Sequence, residues 1–401
     1  MASADSQSSI SIQSSADAVQ QSRIPGFDLA RALAYFGMVF VNFRMGMVSP
    51  GVVRPDFASP FLDFLEGKAA ATFVTLAGVG LALLGARNHT QIQLLKARRS
   101  LRKRALCLFL FGSLWATFWP GDILRNYGVL ILLGTYFLKS SRNALIAASL
   151  SSIAAFCLLF LLLDFNAGWN WNEITYTDFW TVRGFFRSLF FNGFNPVFPW
   201  AGFLFFGMWL TRWNWTSARF RLAVGLAGLL VGGAAEALSH RFLRWISVTN
   251  TPATIETLTA VLGTGPIPPN PVFMLTSAAF SVFTIAAAVE VAHRFQGKPM
   301  LMPLIHTGRM TLTLYIGHVV VGLGGLSLMG RLSGQTDATA LLAAFLFSVV
   351  SVCFCSLWTK KHGAGPLERF MRWICEPQLP AEKSYSPQTP SPKRKETPQA
   401  R

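Results

Sequence analysis

The chain has 401 residues, 52% hydrophobic and 13% charged, with 35 Lys and Arg against 18 Asp and Glu and a net charge of +17. Soluble domains usually carry roughly 25% charged residues, so the composition argues against a soluble enzyme. The 35 Phe and 12 Trp argue equally against a nucleic-acid-binding protein, whose basic charge comes with polar stretches.

In chain order, residues 1–22 are rich in Ser, Gln and Ala and lack a basic segment leading into an apolar one. They read as a disordered cytoplasmic tail and not as a signal peptide. From there the chain is a series of apolar runs. A bilayer core of ~30 Å needs about 20 apolar residues per helix, and lipid selects helices because their backbone groups are bonded internally.

The first predicted span is Leu29 to Val48. Asp28 and Arg31 stand at its start, three residues apart and able to pair on one face, either as a helix cap or as part of an anion site. Asn42 follows Arg31 by about three turns, so the two can line one cavity from opposite depths. The second span, Ala69 to Ala86, begins after Glu66 and Lys68, the latter suited to a surface ion pair. The third, Ala105 to Trp119, and the fourth, Ile123 to Leu138, are short and meet at Trp119-Pro120-Gly121, which stops a helix. Asp122 can cap the fourth. Arg125 points into that span and calls for a carboxylate, from Asp122 or Glu66.

Ala144 to Leu163, Pro196 to Leu210, Leu222 to Leu238 and Val272 to Ala292 follow, the last two carrying Glu236 and Glu290 near their ends. The ninth span, Leu304 to Leu328, contains Arg309 near one mouth and Tyr315 and His318 on one face at mid-depth. His318 suits either an interhelical hydrogen bond or general-base work. The tenth is Ala338 to Trp358. Beyond it, Leu367, Phe370, Met371 and Ile374 recur at helical spacing, which predicts a short helix lying on the membrane face. Residues 377–401 read as a second disordered tail, leaving 23–376 as one transmembrane domain. The fold class is thus all-α and polytopic, with about ten transmembrane helices.

Lys and Arg set the orientation. Arg87, Lys96, Arg98, Arg99, Arg102, Lys103 and Arg104 fill the loop after the second span, and smaller basic groups fill the later even-numbered loops. Both termini are therefore expected in the cytoplasm. The +17 reports topology and needs no nucleic acid. Cys353 and Cys355 lie two apart on a helix and face apart, so no metal is expected.

Five stretches carry a resemblance: Arg23 to Asn42, Glu66-Gly67-Lys68 with Leu76 to Gly80, Gly121 to Tyr127, Gly308 to Tyr315, and Gly365 to Glu368 with Arg372. In this order they resemble the YeiB-like bacterial membrane proteins, catalogued as domain of unknown function 418. The likeness is strongest over 215–376, while 23–214 is similar to the transmembrane acyltransferases related to heparan-alpha-glucosaminide N-acetyltransferase. The resemblance implies acyl transfer from cytosolic acyl-CoA, as co-substrate, to a cell-envelope glycan or lipid, by a protein of the bacterial inner membrane.

Glycan O-acetylases of that superfamily place a catalytic His eleven residues after an Arg of the first helix; here the position holds Asn42. Trp115 replaces the third-helix His of YeiB-like relatives, and Ala32 the Gly of the Asp-x-x-Arg-Gly motif. The candidate bases are then Glu66, Asp122 and His318, with Glu66 and Asp122 favoured on access. Arg31, Arg309 and Arg102 are candidates for the CoA phosphates, and Asn42, Arg125 and Tyr315 for the acceptor. The same residues admit two other classes, a small-solute or lipid transporter using Asp122, Arg125 and His318 as a polar path, and a non-catalytic membrane partner.

Overall fold

The computed structural model describes residues 24–49 and 55–376. The two predicted tails, 1–22 and 377–401, lie outside the described residues. In order, the elements are α1 (Pro25–Met47), α2 (Ser59–Leu65), α3 (Lys68–Arg87), α4 (Gln91–Trp115), α5 (Leu124–Tyr136) and α6 (Arg142–Leu162). A two-stranded antiparallel ribbon follows, β1 (Trp169–Asn170) with β2 (Thr175–Tyr176), pairing Trp169 with Tyr176 and Asn170 with Thr175. Then come α7 (Val182–Arg187), running into a π turn over Ser188–Asn192, α8 (Val197–Leu210), α9 (Ala218–Thr249), α10 (Pro252–Leu262) and α11 (Pro271–Arg294). A 3-10 turn (Pro299–Leu301) leads into α12 (Met302–Arg309) and α13 (Thr311–Gly317), and a π turn (His318–Leu323) joins α13 to α14 (Gly324–Leu328). The chain ends with α15 (Asp337–His362) and α16 (Pro366–Cys375).

Local chemistry sets many of these starts. The side chains of Thr90, Ser141, Ser217, Asn270 and Thr336 accept from the backbone N–H two or three residues on, satisfying donors at helix N-termini. Pro25, Pro271 and Pro366 occupy first turns, where a missing N–H costs nothing.

Each of the ten predicted spans falls on helix, but among the described residues six stretches are long and apolar enough to cross a membrane by themselves. They are Ser59–Arg87, Arg142–Leu162, Ala218–Thr249, Pro271–Arg294, Thr311–Leu328 and Asp337–His362. The other four fall short for stated reasons. Helix α1 carries Asp28, Arg31 and Arg44, and the first half of α4 holds the basic cluster. At 1.5 Å per residue, α5 and α8 reach only about 20 Å.

Burial separates centre from periphery. Of the most apolar window of Ser59–Arg87, 61% is buried, against 11% for Ala218–Thr249, so α3 is wrapped by protein while α9 presents its side chains outward. Helix α1 is the hub, packed on α3, α11, α12 and α15. Its Ala30, Ala32 and Ala34 are almost wholly buried, and small side chains let neighbouring backbones approach in lipid. Gly308 of α12 takes this furthest: a Cβ there would lie 1.7 Å from the Asp28 carbonyl oxygen. The predicted surface helix exists as α16, which buries Met371 and Cys375 while Phe370 and Trp373 face out.

Candidate functional site

Two cavities lie on either side of one partition. The first, about 490 Å³, is lined at its mouth by Asp28, Arg31, Arg87, Arg104, Arg309 and Glu368 and deeper by Leu76, Leu81, Leu108, Leu124 and Tyr127. Its two acids are engaged. Asp28, 1% exposed, accepts from Arg31 Nη1 at 2.6 Å and from Arg309 Nε at 3.1 Å. Glu368 accepts from the backbone N–H of Leu312 and Thr313 and from the Thr313 hydroxyl, closing the N-terminus of α13. Four guanidinium groups at the mouth of an otherwise apolar throat suit an anionic head with a less polar tail.

The second cavity, about 90 Å³, opens at the other end of α1 and is lined by Asn42, Met45, Glu66, Gly121, Asn195 and Pro266 among others. Ile123 and Tyr315 line both cavities and divide them. The tyrosine is pinned there: its hydroxyl donates to Asp122 Oδ1 at 3.2 Å and accepts from the Ile123 N–H at 3.2 Å. Gly67 sets Glu66 at this cavity. It turns the chain between α2 and α3 at φ +73°, and a Cβ would meet Phe273 and Pro266 at 2.6 Å, so a larger residue fails there on both counts.

Behind the wall stands His318, 0% exposed, at the first position of the π turn. Its Nε2 lies 2.8 Å from Asn42 Nδ2, while Nδ1, near the Leu314 and Tyr315 carbonyls, finds no hydrogen bond of full geometry. Two residues 276 apart in sequence thus meet. π turns inside helices are frequent at functional sites.

A third cavity, about 230 Å³, is walled by Trp169, Tyr176, Phe179, Trp180 and Phe194 and contains Asp122 and Arg125. Asp122 Oδ2 accepts from the Arg125 N–H at 3.2 Å, so Asp122 does cap its helix. Asp122 lies in the turn ahead of α5, and burial pushes its carboxyl up to about 6.

Several sequence expectations need correction. Arg31 and Asn42 do not line one cavity; they line two that share a wall. The guanidinium of Arg125 has no carboxylate within ion-pair distance among the described residues. It lies instead 4.8 and 5.2 Å from the Phe179 and Phe185 ring centroids, while Asp122 accepts from Tyr315 and from the Arg125 backbone and acts on the guanidinium only through space. Lys68 is no surface residue: it is 2% exposed and pairs with Glu236 at 3.4 Å. Arg102 lies over Tyr136 at 5.3 Å and does not line the arginine cavity; Arg104, two residues along α4, does. Asp122 and Arg125 line the aromatic cavity while His318 is bonded to Asn42, so the three do not form one polar path. Sequence reasoning placed Tyr127 only within a resemblance stretch and gave no site role to the ribbon aromatics, whose signal was the density of Trp and Tyr between Trp169 and Trp180.

Among the described residues, no group of three or more His, Cys, Asp or Glu is placed to hold a metal ion. The described residues thus form a helical membrane protein in which an arginine-lined cavity backs against a second, smaller one. The family described as heparan-alpha-glucosaminide N-acetyltransferase, catalytic, matches residues 23–233, just over half of the chain, and the family described as protein of unknown function DUF418 matches residues 209–377. Two relatives agree with this. Uncharacterized protein YxaH of Bacillus subtilis (strain 168) is 23% identical, covering 87% of this chain and 93% of that protein. Uncharacterized protein YeiB of Escherichia coli (strain K12) is 26% identical, covering 49% of this chain and 57% of that protein. The chain belongs to the YeiB-like DUF418 family, linked to the transmembrane acyltransferases of the heparan-alpha-glucosaminide N-acetyltransferase type.

Proposed function

We propose that the protein, in a bacterial inner membrane with about ten spans and cytoplasmic termini, takes an acyl group from acyl-CoA in the arginine cavity. It passes that group to a cell-envelope glycan or lipid acceptor entering the Asn42 cavity. The observation that carries this reading is the shared wall: Ile123 and Tyr315 line both cavities, so a thioester at the end of one lies against the other. Arg31, Arg87, Arg104 and Arg309 suit the phosphates of CoA, and the leucines beyond them suit its less polar arm.

In the transfer, the acceptor oxygen or nitrogen attacks the thioester carbonyl, a C–O or C–N bond forms and the C–S bond breaks. The acceptor proton passes to the Glu66 carboxylate, and the CoA thiolate leaves and is protonated from water. Glu66 is the proton acceptor because, of the three candidate bases, it lines the Asn42 cavity and is 47% exposed at its side chain. The Asn42 amide carries two N–H groups. One points to His318 and the other is available to the oxyanion that develops on the carbonyl. His318 is a positioning residue acting through Asn42, and Asp122 is one acting through Tyr315.

The test supplies membranes containing the protein with radiolabelled acetyl-CoA and an envelope extract. Labelled acceptor above that of protein-free membranes is the expected result. Intact protein with neither acyl-CoA binding nor labelled product sinks the proposal.

A further inference from the structure

Arg125 is 6% exposed, lines the aromatic cavity, and leaves its Nη1 without a hydrogen-bond partner. A buried cation of this kind is costly unless something completes its hydrogen bonds. The surroundings define this unpaired donor. Its Nε is held by Asn126 Oδ1 at 3.2 Å, and Asn126 is itself anchored to the Asn195 carbonyl, so the guanidinium is fixed in place. The neighbouring cation is satisfied: Arg187 Nη2 contacts both Asp178 oxygens at 2.7 and 2.8 Å and its Nε donates to the Tyr176 hydroxyl at 2.7 Å. Trp169 Nε1 and the Tyr176 hydroxyl in turn donate to Asn192. The polar groups around the ribbon are therefore spent on one another, and among the residues lining this cavity Arg125 keeps an unpaired buried donor.

The walls give the rest of the ligand. Trp169, Tyr176, Phe179, Trp180 and Phe194 offer flat apolar faces. At about 230 Å³ the space lies below the roughly 300–1,000 Å³ of sites for drug-sized ligands, and suits one ring-sized group. Asp122, in the same cavity, acts on the cation through space but makes no ion pair with it; its Oδ1 accepts from Tyr315 and its Oδ2 from the Arg125 N–H, leaving Arg125 Nη1 unpaired.

We infer that this cavity binds a ring bearing one carboxylate or phosphate, the anion on Arg125 and the ring against the aromatic wall. Phe194 and Asn195 line both this cavity and the Asn42 cavity, so an acceptor entering the latter can place its anionic ring here, and an anionic acceptor is selected. The inference rests on the proposed acyl transfer only in naming the ligand an acceptor; the binding stands without the reaction.

The test uses the full chain in nanodiscs with D-glucuronate, D-glucose 1-phosphate and neutral D-glucose as probes, read by tryptophan quenching and by melting temperature. At least one anion is expected to bind tenfold or more tightly than glucose, the carboxylate and phosphate arms separating the two sources of charge. Arg125→Gln is expected to remove that preference. Glucose binding as well as both anions, no saturable binding of any probe, or an anion preference surviving in R125Q overturns the proposal. Should R125Q fail to fold, Trp180→Ala at the exposed rim serves: anion affinity falls at least threefold if the site is here, and unchanged affinity overturns it. Loss of anion binding with acyl transfer intact would sink this site alone, and the reverse result would sink the reaction alone.

Discussion

Asp28→Asn is the sharpest structural test, because one carboxylate joins α1 to α12 at the mouth of the arginine cavity. The wild-type group is 1% exposed and accepts from Arg31 at 2.6 Å and Arg309 at 3.1 Å. Removing one partner of a fully buried pair costs about 3–5 kcal/mol. Here the two arginine side chains are 24% and 34% exposed, so solvent screens part of the loss and about 2–3 kcal/mol remains. Unfolding in mixed detergent micelles measures it, with Arg309→Met and the double variant completing a cycle. A coupling energy of about 1–2 kcal/mol between Asp28 and Arg309 is expected. A neutral Asp28→Asn, or coupling within about 0.5 kcal/mol of zero, would refute the reasoning that this contact fixes the cavity mouth.

Glu66→Gln is expected to lower acyl transfer by about 10²–10⁴-fold with unchanged melting temperature, the scale of a lost general base; transfer kept within threefold assigns the proton elsewhere. His318→Ala is expected to cut kcat with little change in the KM for acyl-CoA, and His318→Gln, which keeps a hydrogen-bond partner for Asn42, to restore part of it; equal loss in both contradicts a positioning role. The Asp122 carboxyl titrates at about 6 in the fold against a reference value of 3.8. A raised pKa means that the folded state holds its proton more tightly, so this contribution is full below about pH 4 and lost as pH rises through about 6. Compared with Asp122→Asn, the wild type is expected to lose about 2–3 kcal/mol of stability between pH 4 and pH 7, and parallel pH profiles would show that burial does not act on this group.

The apolar runs were legible because lipid demands length and hydrophobicity together, and each predicted span falls on helix. Local pairings were legible too: Asp28 and Arg31 meet at i,i+3, and the 366–375 face shows its spacing directly. Contacts set by packing were not. Arg309 reaches Asp28 across 281 residues, and it does so because Gly308 admits a backbone approach that no periodicity records. His318 meets Asn42 at the start of a π turn, which looks in sequence like uninterrupted helix. Charge proximity along the chain was an incomplete guide at Arg125: Asp122, three residues away, accepts from its backbone N–H and acts on its charge through space, yet makes no ion pair with the guanidinium. The choice between Arg102 and Arg104 turned on which side of α4 lines the arginine cavity: two residues of helix point to nearly opposite sides, and Arg102 lies over Tyr136 at the end of α5 instead.

The central claim is transfer from one side of the membrane to the other through the wall formed by Ile123 and Tyr315. Proteoliposomes holding the protein in a single orientation, with radiolabelled acetyl-CoA confined to one side and envelope extract to the other, measure it. Labelled acceptor is predicted only when acetyl-CoA faces the Arg31–Arg309 mouth; equal labelling from either side, or none while acetyl-CoA binds, would contradict the account.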